Sequence, residues 1–249
     1  MPNFKLILEY EGTNYHGWQR QETKITVQET IEKGLEKIFS EKITLIGQGR
    51  IDAGAHALGQ VANFKVVKDF NVLNLKKAIN SLLPPDIRIK DAQAVDDKFH
   101  ARYSAKGRHY KYLVYNNEPS VWLRKFSYFY PYQLNIKSMK EGAEHLIGRH
   151  DFSPFQASGS PAKSPIKTIK SIEIKKEDLN FLTKFPVVGF DIKADAFLYK
   201  MVRNIVGTLL EVGRGKIQPA EIKEIINNKA KRKGQTVPAH GLYLVDVEY

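Results

Sequence analysis

The chain predicts an α+β fold built from two β-α-β-β-α-β units with antiparallel sheets, and three observations on its 249 residues carry that expectation. Apolar residues alternate with period two in some stretches and recur with period 3.6 in others, and the two kinds of stretch follow one another along the chain. Their order in the first half is strand, helix, strand, strand, helix, strand, the split βαβ or ferredoxin-like unit. The second half repeats that order in different letters, and two units of about 100–130 residues fit ordinary domain size.

Phe4–Tyr10 alternates as a half-buried strand does. Thr26 is a good N-cap, Glu29 completes a capping box, and Val27, Ile31, Leu35, Ile38 and Phe39 form one apolar stripe, so residues 27–39 predict a helix. Ile43–Ile46 and Gln60–Val67 read as strands, Leu75–Leu83 as a helix stopped by Pro84 and Pro85, and Ile87–Val95 as a strand. In the second half Arg108–Asn116 alternates, with His109 and Lys111 facing away from Tyr110, Tyr112 and Val114. Asn135 caps a predicted helix over Ile136–Ile147, and Thr168–Lys176 and Val187–Ala194 follow as strands. Ala196–Val212 is a strongly apolar helix, Pro219–Asn228 a short one with proline at its first position, and Leu242–Glu248 a closing strand. The junction is expected near 96–107, dividing the chain into units 1–105 and 106–249. Two such RRM-like sheets meeting edge to edge would leave a central cleft, a common place for a site.

The net charge is +12 and the pI about 9.6, a positive excess that points to a polyanionic partner, nucleic acid first. No cysteine is present, which excludes disulfides, thiolate zinc sites, iron–sulfur clusters and cysteine nucleophiles. The seven histidines are scattered and no His-Glu-x-x-His occurs, so neither a metal nor a cofactor is expected. No run approaches the roughly 20 apolar residues of a membrane span. The start, Met1-Pro2-Asn3-Phe4-Lys5, lacks the marks of a signal peptide, so a cytoplasmic protein is expected.

Three stretches carry no apolar period: 11–25, rich in polar, aromatic and basic residues, 151–167, and the basic run Asn227–Gly234. Long loops inside compact units are usually functional or disordered. The basic run reads equally as a phosphate contact or a solvated linker. The segment Gly47-Gln48-Gly49-Arg50-Ile51-Asp52-Ala53-Gly54-Ala55-His56-Ala57 is the candidate for chemistry. Its glycines permit close approach of backbone to a ligand. In an extended segment Arg50 and Asp52 project to one side, and a nearby guanidinium keeps a carboxylate ionised. The phosphate-loop and dinucleotide fingerprints are both incomplete here. On residues alone the segment is also compatible with a turn held by an Asx bond.

This segment resembles the Gly-Arg-Thr-Asp-Ala-Gly-Val-His-Ala signature of the tRNA pseudouridine synthase A family. Further blocks resemble that family in the same order: Tyr10–Gln19, Phe99–Ala105, Arg108–Tyr112, Asp151-Phe152-Ser153 with Phe155, Phe197–Asn204, and Ala239–Val245. The resemblance implies an isomerase that converts uridine to pseudouridine at positions 38, 39 and 40 of the tRNA anticodon stem-loop, flipping the base out and needing no cofactor. By the same resemblance Asp52 is the catalytic carboxylate, as nucleophile or base. Arg50 fills the gap left by the flipped base, and Tyr110 stacks on the target base. Arg203 pairs with the carboxylate, and Leu242 walls the uracil pocket. A homodimer that holds one tRNA across both subunits is implied too.

Other readings of these residues stay open on sequence: a core strand aromatic for Tyr110 and for Tyr112, a snorkelling cation for Arg203, ordinary strand core for Leu242, a phosphate contact for Arg50. His56 is expected to order the loop. The chain departs from the family pattern at Ile51, in place of threonine, at Ala55, in place of valine, and at Ser160-Pro161, where Cys-Gln is common. The alternative function is a non-catalytic RNA-binding module with aromatic sheets, and Asp52 discriminates, because a pure RNA binder has no use for a carboxylate beside phosphates.

Overall fold

The computed structural model describes residues 1–68, 70–159, 162, 164–179, 184–227 and 234–249. They form an α+β fold with five α-helices and mostly antiparallel strands. The chain divides into two compact units, Met1–Lys106 with Tyr243–Tyr249, and Gly107–Leu242. The last seven residues thus belong with the first unit, whereas the sequence pattern grouped them with the second half.

The first unit is built from β1 (Asn3–Tyr10), α1 (Val27–Phe39), β2 (Ile46–Gly47), β3 (His56–Lys65), α2 (Val72–Asn80) and β4 (Ile87–Val95). β1 lies between β3 and β4 and is antiparallel to both, Phe4 facing Phe64 on one side and Ala94 on the other. β2 pairs antiparallel with β3, which completes the split βαβ arrangement. The C-terminal strand β10 (Leu242–Glu248) adds a parallel pairing, Tyr243 opposite His56 and Leu244 opposite Ala57. Helix stripes and the inward sheet face meet in a core of Phe4, Leu6, Ile31, Leu35, Phe64, Leu75 and Ile79, all buried. Phe4, Phe39 and Phe64 form an aromatic cluster with ring centroids 5.6–6.3 Å apart.

Local chemistry sets the ends of these elements. The Thr26 side chain caps α1 by accepting from the Glu29 amide at 3.4 Å, while the Glu29 carboxylate is turned to Lys33, 2.9 Å away. Asn71 accepts from the Leu73 amide at 2.9 Å and so starts α2 three residues before the expected Leu75. The expected strand Ile43–Ile46 shrinks to β2 because α1 side chains take the backbone groups of Leu45. Its amide donates to buried Glu32 at 2.9 Å, and its carbonyl accepts from Gln28 at 2.9 Å.

The second unit holds β5 (Gly107–Tyr115), β6 (Tyr128–Phe129), α3 (Ile136–Glu144), β7 (Gly148–Asp151), β8 (Ile166–Glu177), β9 (Val187–Ala194), α4 (Met201–Gly213) and α5 (Glu221–Ile226). β5 is antiparallel to β9, β9 to β8, and β8 to β7, while β6 adds a short parallel pairing to β5. Tyr112, Val114, Phe190, Ile192, Met139, Ile205 and Leu209 are buried core. Gly142 lets α3 approach α4 and α5, since a Cβ there would touch Ile222, Leu209 and Val212.

α4 begins five residues later than its apolar stripe suggests. Asp195 Oδ1 accepts from the Ala196 amide, and Lys200 takes a left-handed conformation at φ 59°, so the chain turns before the helix starts. α3 ends at Glu144, and Gly148, at φ +104°, opens β7. β6 and β7 have no counterpart in the sequence pattern. α5 is shorter than the expected Pro219–Asn228, whose last residue, with most of the basic run 227–234 and Ser160-Pro161, lies outside the described residues. No helix among the described residues is long and apolar enough to cross a membrane.

Candidate active site

Asp52 stands in the loop between β2 and β3, half-buried, outside any strand. The loop is held from beneath by the 11–25 segment. Trp18 donates its amide to the Ile51 carbonyl at 3.2 Å, and the Gly54 amide donates to Tyr15 at 3.3 Å. The Gly12 amide donates to His56 Nδ1 at 3.1 Å, and the Ala55 amide closes a turn onto the Asp52 carbonyl at 3.1 Å. Glycines make this contact possible. A Cβ on Gly12 would sit 1.8 Å from the Ala55 carbonyl oxygen, and Gly17, at φ +86°, would place one 2.5 Å from that of Ile51. A Cβ on Gly47 would strike the buried Trp18 ring at 2.2 Å.

Asp52 is thus presented by a rigid base with two buried neighbours, Ile51 and Ala55. Both are departures from the family pattern, and both point inward. Ile51 packs as an apolar side chain in the core, at the position where the signature it resembles has threonine. His56 is buried, accepts from Gly12, and stacks on Tyr243 with centroids 4.9 Å apart, so it orders the loop as expected. Burial, with the Glu11 carboxylate second, holds the Tyr243 hydroxyl well above the ordinary tyrosine range. Arg50, two residues before Asp52, is exposed.

The other predicted residues lie in the second unit and share one frame. Tyr110 and Tyr112 are buried on the same face of β5. Tyr110 meets Phe197 edge-on, centroids 5.1 Å apart at 87°. Tyr112 donates its hydroxyl to the Pro238 carbonyl at 2.7 Å. Arg203, half-buried on α4, donates Nε to the neighbouring Val237 carbonyl at 2.7 Å. Burial raises the Tyr112 pKa well above its ordinary value, while the Arg203 charge acts in the opposite direction and Tyr128 adds to the rise.

The segment 234–238 is therefore a strap laced along α4. The Gly234 amide donates to Thr208 at 3.1 Å, Thr236 bonds Asn204, and Val237 and Pro238 receive Arg203 and Tyr112. Gly207 admits the strap, because a Cβ there would lie 1.8 Å from the Gln235 carbonyl oxygen. The strap runs through a short 3-10 turn, Ala239–Gly241, to Leu242, which is buried. A cation on an apolar helix needs a partner, and the Val237 carbonyl supplies one.

Sequence reasoning did not find the strap, nor the role of Trp18. Its signal was present only as Gly207, Gly234 and Gly47, small residues whose partners a linear sequence does not name. The Asp151-Phe152-Ser153 block turns out to be docking structure. Phe152 and Phe155 are buried, Asp151 accepts from the Ser153 amide at 2.8 Å, and Asn204 donates to the Phe155 carbonyl at 2.7 Å. Among the described residues no three His, Asp or Glu side chains gather as a metal site.

A family model described as tRNA pseudouridine synthase matches residues 6–104 and 143–249. The chain belongs to the tRNA pseudouridine synthase family. It is therefore an isomerase. Relatives named tRNA pseudouridine synthase A align over the full length of both chains, at 50% identity in Acetivibrio thermocellus, 45% in a Thermoanaerobacter species and 44% in Caldicellulosiruptor bescii. The match spans both the Asp52 loop and the strap, while the Arg108–Tyr112 block lies between its two stretches.

Proposed function

We propose that this enzyme isomerises uridine to pseudouridine at positions 38, 39 and 40 of the tRNA anticodon stem-loop, with Asp52 as its catalytic carboxylate. The observation that carries the reading is full-length identity of 50% to a protein named tRNA pseudouridine synthase A, with Asp52 in the segment that resembles the family signature. The reaction breaks the bond from ribose C1′ to uracil N1 and forms one from C1′ to C5. The C5 proton leaves and N1 gains a proton, so atoms and electrons balance without an oxidant or energy source. Asp52 serves this either by attacking C1′ as uracil departs or by adding to the base; both free N1 and both return the carboxylate.

The other residues take supporting roles. An exposed, planar guanidinium at Arg50 suits the space a flipped base vacates, where it meets phosphate and stacks on bases. Tyr110 stacks on the target base, Leu242 walls the uracil, and Arg203 is the guanidinium that the resemblance assigns to the catalytic carboxylate. The fixed Nε bond to Val237 supports that role, since it orients the guanidinium before substrate arrives. The enzyme works as a homodimer in the cytoplasm, and its charge of +12 suits an RNA whose phosphates dominate affinity.

The test is direct. Unmodified tRNA transcript is incubated with the protein, and pseudouridine is mapped by carbodiimide labelling and primer extension. Stops at positions 38–40 are expected. Unmodified RNA that nonetheless binds tightly would favour the binding-module reading instead.

A further inference from the structure

The basic side chains of the first unit differ in their surroundings. Lys33, Lys65, Lys90 and Arg20 are each joined to a carboxylate, at 2.9, 2.6, 3.0 and 3.4 Å. Lys76, Lys77 and Arg88 are exposed instead around a cavity of about 520 Å³, whose other lining residues are Leu73, Asn80 and Ser81. Among the described residues no carboxylate lines it. Its floor is rigid, because Asn80 clamps the first turns of β4. Asn80 Nδ2 donates to the Ile89 carbonyl at 2.9 Å, and the Ile89 amide donates to Oδ1 at 2.8 Å, which fixes the backbone next to Arg88.

Arg88, at the start of β4, lies at the same end of the sheet as the Asp52 loop. Arg88 faces Glu9 across the β4–β1 ladder, and Tyr10 faces Ala57 across the β1–β3 ladder, just past that loop. Two strand spacings, about 10 Å, separate the strand starts. The 11–25 segment bridges them, since the Glu11 amide donates to the Asp86 carbonyl at 2.9 Å and the Tyr15 hydroxyl to Asp86 Oδ1 at 2.7 Å.

We infer that Lys76, Lys77 and Arg88 form a docking surface for the phosphate backbone of the substrate RNA, engaging nucleotides outside the one that reacts. The inference rests on the RNA-modifying reading above. Three exposed cations around one concavity suit successive phosphates of one strand, and the carboxylate opposite Arg88 in the ladder, Glu9, is already joined to Lys90 at 3.0 Å. The exposed Leu73 at the lip offers apolar surface to a ribose. A peptide or lipid partner would ask for a larger apolar face than this single side chain.

The double variant Lys76→Gln with Arg88→Gln is compared with Lys33→Gln with Lys65→Gln, which removes the same charge from paired sites. Binding of unmodified tRNA transcript is measured by filter retention over a salt series. The patch variant is expected to bind about three- to tenfold more weakly at moderate salt, and its log-affinity against log-salt slope to fall by about 1.5–2, the loss of two phosphate contacts. The control is expected to change that slope by less than about 0.5 on the same scale. Equal slopes for the two variants, or a patch variant indistinguishable from the unaltered protein, overturn the inference. Melting temperatures within a few degrees of the unaltered protein confirm that both variants are folded. Binding is read without turnover, so a protein that binds by this patch yet makes no pseudouridine would sink the enzymatic reading and leave the patch standing.

Discussion

At the scale of single residues, several side chains near the candidate residues are each fixed by a second group. His56 is held by the Gly12 amide and the Tyr243 ring, and Arg203 and Tyr112 by adjacent carbonyls of the strap. Arg203→Ala leaves the Val237 carbonyl without its donor. It is expected to cost about 1–3 kcal/mol in chemical denaturation, the price of an unsatisfied buried acceptor. Stability equal to the unaltered protein would show that water replaces the guanidinium freely. Asp52 was legible from the sequence only through its signature, since a lone carboxylate in a glycine-rich turn has an ordinary structural reading. Tyr112 and Arg203 were legible as residues but their partners were not. A backbone carbonyl leaves no mark in the alphabet, and Val237 and Pro238 are ordinary letters.

At the scale of elements, α1, β1, β4 and β9 follow from period and caps with ends within a residue of expectation, because each buries one regular face. The failures have physical causes. Side chains of Gln28 and Glu32 replaced a β-partner at Leu45, an aspartate and a left-handed lysine delayed α4, and β6 and β7 are too short to show a period. The element that matters most is the pair of loops 11–25 and 47–56, which behaves as one packed unit. Gly12→Ala would drive a methyl into the Ala55 carbonyl, a backbone atom that cannot swing aside, and is expected to destabilise by about 1–3 kcal/mol. Gly49→Ala meets nothing within 4 Å and is expected to stay within about 0.5 kcal/mol of the parent. Denaturant titration of the two variants checks both, and equal stabilities would contradict the packed-loop account.

At the scale of the whole molecule, the residues proposed for the reaction fall in two α+β units, Arg50 and Asp52 in the first and Tyr110, Arg203 and Leu242 in the second. The closing strand β10 returns the chain from the strap to the first unit, where Tyr243 covers His56. The molecule also has a predictable response to alkali. Burial foremost raises the hydroxyl pKa of Tyr15, Tyr112, Tyr130 and Tyr243 above the ordinary value of about 10. Lys111 is raised as well: its burial acts downward, but the Glu177 hydrogen bond and the Asp191 charge outweigh it. Above pH 10 the unfolded chain therefore binds fewer protons than the folded one, and stability falls as pH rises. The contribution is whole below the unfolded pKa and is lost through the folded one. Phenolate absorbance across an alkaline titration should show part of the 12 tyrosines ionising only as the protein unfolds. A single native transition near 10 for all of them would contradict it. The central claim, that Asp52 does the chemistry, is tested most directly by Asp52→Asn, with tRNA binding and pseudouridine formation measured on the same preparation. Retained binding with no detectable pseudouridine is the predicted result, and modification at the unaltered rate would contradict the account.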